Sequence, residues 1–145
     1  MTGRAESVPE RVYIVTPYLC VKGAEAAIEF YKQVFGATET VRLMEPGGRV
    51  SHAEIRVHDA PIFLADEFPE IGVLSPQALG GSPVSIHLMV DDVDTVASRA
   101  VAAGAIMLRP VADQPHGHRN GKLVDPFGHV WFIATPLKNV AVEEM

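Results

Sequence analysis

Residues 17–37 read PYLCVKGAEAAIEFYKQVFGA, a short β-rich run that is followed directly by a helical pattern. We predict a strand over residues 11–21, in which Pro17 favours an edge position or a bulge because proline cannot donate a ladder hydrogen bond. A helix is predicted over Ala24–Phe35, where apolar residues recur along one face. Gly36 follows at the expected position of a left-handed C-terminal cap.

Three further strands are predicted after this helix, each bounded by turn residues. The turn Pro46-Gly47-Gly48 follows the first of them, and residues 58–59 join the other two in a hairpin. Residues 67–82 are rich in proline and glycine, so we predict a linker or a lid there. The three predicted strands are Thr38–Met44, Arg49–Val57 and Pro61–Ala65.

The second half of the chain repeats this order of elements. Asp91 and Asp92 indicate a helix start, since carboxylates suit the positive end of the helix dipole. Residues 113–121 are rich in Gly, Pro, His and Asn and are predicted to form a polar loop. The other predicted elements are strand Pro83–Val90, helix Val93–Ala103 and strands Ile106–Val111, Lys122–Val124 and His129–Thr135.

The two halves also match each other as text, at a nearly constant offset in residue number. Strand, helix end and last strand agree at once, which is unlikely by chance and indicates a duplication. The matched segments are residues 18–21 with 87–90, residues 35–37 with 103–105, and residues 62–64 with 131–133.

The repeat predicts an α+β fold made of two tandem βαβββ modules, residues 11–66 and 83–137. Each module contributes a curved mixed sheet, the helices lie outside, and a concave cleft lies between the sheets. Residues 1–10 are predicted to be a flexible N-terminus, and residues 138–145 a C-terminal tail.

Charge and cysteine content exclude several classes of protein. Eighteen acidic against twelve basic residues give a net charge of −6, which argues against a nucleic-acid partner because phosphate backbones require a basic face. The single cysteine, Cys20, excludes an internal disulfide and a cysteine-rich metal site. No apolar run approaches the roughly 20 residues that span a bilayer, and the N-terminus lacks a signal-peptide core. We expect a cytoplasmic protein with no membrane partner.

Taken together, four segments resemble the vicinal oxygen chelate superfamily, and most closely its PhnB-like, glyoxalase/bleomycin resistance branch. They are the quoted residues 17–37, SHAEIRV at 51–57, GGSPVSIHLMVDDVD at 80–94 and GKLVDPFGHVWFIAT at 121–135. The resemblance covers about residues 11–137 and implies a homodimer of paired modules with a U-shaped cavity. It leaves open whether the paired modules belong to one chain or to two. It does not fix a reaction, since glyoxalase I, extradiol dioxygenases, fosfomycin-resistance enzymes and bleomycin-resistance proteins share the fold.

Enzymes of this superfamily hold one divalent ion on the first and last strands of each module. Carried over by the resemblance, the ligand positions fall at Thr16, Phe63, Ser85 and Phe132. Phenylalanine has no donor atom, and isolated hydroxyls are poor ligands, so we expect no metal cofactor. A two-residue slip in the second module would bring His87 into the place of Ser85. The alternative is a divalent metal bound by His52, Glu54 and His87, a two-histidine, one-carboxylate set.

Alternation along the strands predicts which side chains line the cavity. In SHAEIRV, the residues His52, Glu54 and Arg56 share the polar face of the strand. Trp131 and Ile133 are expected to point away from the cavity and to pack under the second helix. The other expected cavity residues are Thr16, Tyr18, Phe63, Ser85, His87, Met89 and Phe132. The two phenylalanines either help to form an apolar ligand pocket or only fill the place of an ancestral metal.

Three more side chains have reactive or metal-binding chemistry but a simpler interpretation. Cys20 has no basic neighbour in the sequence and is expected to be an unreactive buried thiol. His116 and His118 lie in the predicted polar loop, where solvation is expected rather than metal ligation.

Three functions remain open, and we favour the first. It is a non-enzymatic module that binds a small, partly aromatic or cationic molecule in a dimer cleft, as bleomycin-type antibiotic-resistance members of the superfamily do. Its partners would be a second copy of the chain and a small organic ligand. The second is a metal-dependent enzyme (a glyoxalase-like lyase, a transferase or a dioxygenase) with a non-standard ligand set. The third is an accessory dimer whose contact surface includes Leu74 or Leu79.

Overall fold

The first half of the chain folds as the predicted βαβββ unit. A computed structural model describes residues 15–137. In the first half, its elements are β1 (Tyr18–Val21), α1 (Ala24–Phe35), β2 (Thr38–Met44), β3 (Val50–Val57) and β4 (Ala60–Asp66). The strands form one sheet in the order β1-β4-β3-β2, with β1 parallel to β4 and the other neighbours antiparallel.

The second half repeats this unit after a short connection. The connection contains a 3₁₀ turn at Pro69–Ile71 and a one-turn helix, α2, at Pro76–Leu79. The repeated elements are β5 (Ser85–Met89), α3 (Val93–Ala102), β6 (Ile106–Asp113), β7 (His118–Val124) and β8 (Val130–Pro136). The second sheet has the equivalent order, β5-β8-β7-β6, again with one parallel pair, β5 and β8. The α+β class, with two repeated modules and curved sheets that do not close, is confirmed.

The first predicted strand is shorter than expected. Of its residues 11–21, the first four lie outside the described residues, as do the predicted N-terminus (1–10) and C-terminal tail (138–145). In the described part the strand begins at Tyr18. Pro17 contributes only its carbonyl, which accepts a hydrogen bond from the Phe63 amide at 2.9 Å, and it has no amide proton to extend the ladder.

The predicted polar loop over residues 113–121 is also partly wrong, because β7 begins at His118. Gly121 explains why a strand interior looks like a loop in the sequence. A Cβ atom at Gly121 would lie 2.9 Å from Val111 Cγ2 and 3.0 Å from Met107 Cε, so only glycine lets β6 pack so closely there.

Each long helix begins with help from the last strand of its own module. The Asp66 carboxylate accepts hydrogen bonds from the amides of Gly23 (3.0 Å) and Ala24 (2.8 Å), at the start of α1. Thr135 is the counterpart of Asp66 in the second module, and its hydroxyl accepts from the Val93 amide at 2.9 Å. These side chains satisfy helix amides that have no partner within the helix.

One core joins the two modules. Trp131 and Ile133 of β8 are fully buried, as expected, and the Trp131 ring lies 4.5 Å from Phe35 and 5.5 Å from Tyr31 of α1. Phe127 also packs against Tyr31, with ring centroids 6.3 Å apart. The helix of the first module therefore packs on the covered face of the second sheet. Among the described residues, no helix is long and apolar enough to cross a membrane.

Candidate functional site

Three strands of the first sheet bring Tyr18, Phe63 and Glu54 into one row. Tyr18 of β1 lies beside Phe63 of β4, which in turn lies beside Glu54 of β3. Neighbours in register share one face of a sheet. His52 and Arg56, two positions before and after Glu54, lie on that face too, while the intervening residues of β3 are buried under the helix. We call this set of five side chains the first face.

Tyr18, His52 and Glu54 form a hydrogen-bonded chain on the first face. Tyr18 Oη lies 2.6 Å from His52 Nδ1, and His52 Nε2 lies 2.8 Å from Glu54 Oε2. A carboxylate only accepts hydrogen bonds, so in a neutral His52 imidazole Nε2 carries the proton and Nδ1 accepts from the Tyr18 hydroxyl. Phe63 packs beside both rings, 5.7 Å from Tyr18 and 5.1 Å from His52 between centroids.

Burial and the nearby Glu54 carboxylate raise the pKa of the Tyr18 phenol. Tyr18 therefore keeps its proton across the neutral pH range and remains a donor to His52. Tyr18 is 56% exposed, whereas His52 and Glu54 expose 23% and 34% of their side chains. Of the three hydrogen-bonded side chains, Tyr18 is the one most open to an incoming molecule.

The second sheet carries an equivalent row with a different charge. In register across its four strands lie Arg109 of β6, Lys122 of β7, Phe132 of β8 and His87 of β5. Lys122 Nζ and Arg109 Cζ lie 5.3 Å and 5.5 Å from the centre of the Phe132 ring. Arg109 also donates to Asn120 Oδ1 at 2.6 Å. We call these five side chains the second face.

Neither cation of the second face forms an ion pair with a carboxylate of residues 15–137. Lys122 and Arg109 instead lie near the Phe132 ring, in a cation–π arrangement. The second face is therefore locally basic, although the chain as a whole is acidic.

His87 also belongs to a group of three imidazoles. Its ring lies 6.0 Å from His118, which lies 5.0 Å from His116. Burial, and then the proximity of His118 and His116, lower the pKa of His87. His118 Nδ1 is buried and has no hydrogen-bond partner within residues 15–137. His118 is part of β7 and not of a solvated loop, so the loop interpretation of this residue is wrong.

The cavity residues expected from the sequence divide between the two faces. Tyr18, His52, Glu54, Arg56 and Phe63 come together on the first, and His87 and Phe132 on the second. Ser85 and Met89 lie on β5 on either side of His87 and are exposed, and Thr16 precedes β1 and is half-buried.

Sequence reasoning missed Lys122 and Arg109 as site residues. Lys122 is the counterpart of Glu54 in the internal repeat, so the repeat itself could have placed it on the cavity side. Arg109 pairs with Lys122 across an irregular part of the β6–β7 ladder, and alternation alone does not give this contact.

The divalent metal that the resemblance implies does not fit these residues within one chain. Phe63 and Phe132 occupy the centres of the two faces and offer no donor atom. The strand register pairs Phe63 with Tyr18 and Phe132 with His87. His52 and Glu54 bond to each other, and His87 lies on the other sheet. No three His, Cys, Asp or Glu side chains within residues 15–137 are grouped closely enough to hold an ion.

A cavity of about 300 Å³ adjoins the first face at Tyr18 and lies between β1, the connection to the second module and the starts of β5 and β8. Apolar side chains such as Leu74, Leu79 and Val84 line most of it, and Leu79 is 66% exposed. Cys20 also lines it, and burial, followed by Glu67 and Asp66, raises the pKa of the Cys20 thiol to about 11. The thiol is thus protonated at neutral pH and a poor nucleophile.

Comparison with known proteins identifies relatives and structures of the same fold. An uncharacterized protein from Mycobacterium bovis is 39% identical over 134 residues, which cover 90% of this chain and 88% of that protein. The PhnB protein from Bacillus cereus superposes with a TM-score of 0.68 at 20% identity, over 85% of this chain and 99% of that chain. The fosfomycin resistance protein FosX from Listeria monocytogenes superposes with a TM-score of 0.66 at 17% identity, over 93% and 98%. At such identities the two structures show the fold alone. The family model described as Glyoxalase/Bleomycin resistance protein/Dioxygenase superfamily matches residues 12–133.

Proposed function

Starting from the fact that this chain belongs to the Glyoxalase/Bleomycin resistance protein/Dioxygenase superfamily, we propose that it binds a small planar organic acid without a metal ion. The binding site is a cleft in which the first face of one copy meets the second face of another copy. The function is binding, and not metal-assisted catalysis.

The observation that carries this proposal is the placement of Phe63 and Phe132. They occupy the same position in the two modules, each paired with the first strand of its module. A planar molecule between two such rings would be stacked on both sides. An apolar centre with a few polar groups around it is the usual composition of a small-molecule site.

A second copy is needed because one chain does not bring the two faces together. Within residues 15–137, the Tyr18–His52–Glu54 hydrogen bonds and the Phe63 ring contacts lie within the first sheet. The ring contact of His87 with His118 and the contacts of Phe132 with Arg109 and Lys122 lie within the second sheet. Glu54 and Lys122 hold equivalent positions with opposite charge, so the two faces are complementary across such a cleft.

The acidic group of the ligand follows from the local charge of the second face. Lys122 and Arg109 lie together beside Phe132, with no carboxylate partner among residues 15–137. A carboxylate or phosphonate that is attached to a planar group would stack on the ring and meet both cations. Selection of a cationic molecule, which the net charge favours, has no such support on this face.

Calorimetric titration with benzoate, phenylphosphonate and, as the cationic counterpart, benzylamine tests the proposal. We expect the two acids to bind and benzylamine not to bind. Lys122→Ala should weaken binding of the acids about 10-fold, since one charged hydrogen bond is lost. Lys22→Ala removes the same charge from an exposed site outside both faces and serves as the control. Failure of both acids to bind, or binding that survives both Lys122→Ala and Phe132→Ala, would refute it.

A further inference from the structure

We propose that the Tyr18–His52–Glu54 chain fixes the hydrogen-bond polarity of the first face, so that the site selects an organic acid that also carries a hydroxyl donor. This inference rests on the proposed function, because it needs the cleft to admit a ligand, and it names the class of that ligand more closely. It makes Tyr18 the specificity-determining residue, with His52 and Glu54 as positioning residues.

The direction of the hydrogen bonds is set by Glu54, because its carboxylate can only accept a hydrogen bond. Its Oε2 therefore receives the Nε2 proton of His52, and Nδ1 is left as an acceptor at 2.6 Å from the Tyr18 oxygen. The Tyr18 proton is thereby directed to His52. What Tyr18 presents to a ligand is the lone pair of its oxygen, and this lone pair accepts a hydrogen bond and does not donate one.

Neighbouring side chains hold the Tyr18–His52–Glu54 hydrogen bonds in these directions. Phe63 packs against both the Tyr18 and the His52 rings and limits their rotation. Burial and Glu54 raise the pKa of Tyr18, which keeps the proton that the chain requires. The other side chains beside the chain are Arg56 on β3, Cys20 on β1, and Val41 and Leu43 opposite Glu54 and His52 on β2.

The exposure of the three side chains shows why the polarity matters for binding. Tyr18 is the most exposed of them, so an incoming group meets the phenol oxygen before it meets His52 or Glu54. A ligand hydroxyl or amine can donate to that oxygen. An ether or carbonyl oxygen of the ligand at the same place would face the lone pair of the Tyr18 oxygen. Neither oxygen could then donate a hydrogen bond to the other, which lowers the affinity.

Matched pairs of probes test this selection. Hydroxybenzoate and methoxybenzoate, each in the 3- and the 4-isomer, keep the acid and the ring but differ in whether the substituent can donate. We expect the wild-type protein to bind the better hydroxy isomer about 10-fold more tightly than its methoxy partner. Tyr18→Phe should reduce this ratio to about 2-fold or less.

Glu54→Gln tests whether Glu54 sets the direction of these hydrogen bonds. The glutamine amide can donate to His52 Nε2, so His52 is no longer held in the tautomer that accepts from Tyr18. We expect the hydroxy preference to fall in this variant although Tyr18 is intact. His58→Asn is the matched control, since His58 lies in the β3–β4 turn with φ of 56°, which asparagine tolerates. It should leave the preference unchanged.

Nitrogen-15 NMR of His52 in the free protein adds a measurement that needs no ligand. A protonated Nε2 is expected, and a protonated Nδ1 would overturn the inference. So would equal binding of the hydroxy and methoxy probes, or a preference that survives Tyr18→Phe; in both cases benzoate binding would leave the proposed function standing. Absence of benzoate binding would instead refute the proposed binding cleft, and with it the proposed selection of hydroxy acids.

Discussion

Tyr31 of the first module donates its hydroxyl proton to Asp125 Oδ2 of the second module at 2.5 Å. Asp125 is 3% exposed, and the same oxygen accepts from Trp131 Nε1 at 2.9 Å. Its other oxygen accepts from the amides of Phe127 and His129 at 2.9 Å and 3.0 Å. Burial and the adjacent Asp125 carboxylate raise the pKa of Tyr31 well above its ordinary value. A buried carboxylate with this many donors holds the two modules together without an ion pair.

Removing this bond should destabilise the whole chain. Tyr31→Phe is expected to lower the free energy of unfolding by about 1–3 kcal/mol, because a buried charged acceptor loses one donor. Asp125→Ala should cost about 3 kcal/mol or more, since it leaves the Tyr31 and Trp131 donors buried without a partner. Urea unfolding followed by Trp131 fluorescence measures both. Tyr18→Phe, which changes an exposed hydroxyl, is the control, and equal stability of Tyr31→Phe and Tyr18→Phe would contradict the assignment.

Stability should fall at mildly acidic pH because of His87. Its pKa is lowered by burial and by His118 and His116, whereas an unfolded histidine titrates near 6.5. As the pH falls below that unfolded value, the unfolded chain takes up a proton that the folded His87 does not. Folding therefore loses free energy progressively, until the pH has passed the folded pKa.

Unfolding free energies at several pH values between about 7.5 and 5 would measure this loss. His87→Gln should show a shallower fall than the wild type, and the effect is modest because His87 is exposed to solvent. His118→Asn should shift the His87 pKa upward in an NMR titration. A steeper fall with pH in His87→Gln would show that the sign is wrong.

Binding should depend on protein concentration if the cleft needs two copies. We expect sedimentation to show a species of twice the chain mass, and benzoate binding per chain to decrease on dilution below the dimer dissociation constant. Full binding by a species that sediments as a single chain would contradict the shared cleft.

Removal of metal should leave binding of the acids unchanged. The test is titration before and after dialysis against EDTA, combined with elemental analysis of protein purified without a chelator. A stoichiometric transition metal that is lost in His87→Ala would instead support the alternative set of His52, Glu54 and His87.

The elements with strong local signals could be predicted from the sequence. Helix α1 has the predicted bounds, Ala24–Phe35, because its apolar stripe and the glycine after it are local features. Gly36 adopts φ of 73° and caps the helix in the left-handed conformation, as expected. The duplication indicated the order of the elements in the same way, since it needs only a comparison of the chain with itself.

The polar contacts of the site depend on neighbours that are distant in sequence. Tyr18 and His52 are far apart along the sequence, and the strand that carries Phe63 lies between their strands. No local sequence pattern therefore predicts their hydrogen bond. The net charge does not reveal the local charge of the second face. It averages over the whole chain, whereas Lys122 and Arg109 are brought together by the pairing of β6 with β7.

The bond between Tyr31 and Asp125, together with the packing of α1 against Trp131, has a consequence for motion. The two modules cannot move apart as hinged bodies without breaking these buried hydrogen bonds and ring contacts. Each polypeptide chain therefore behaves as one rigid body. In the proposed two-copy cleft, an opening that lets a ligand in or out would then require a shift of one whole subunit against the other, and the strength of the subunit contact would set the rate of exchange.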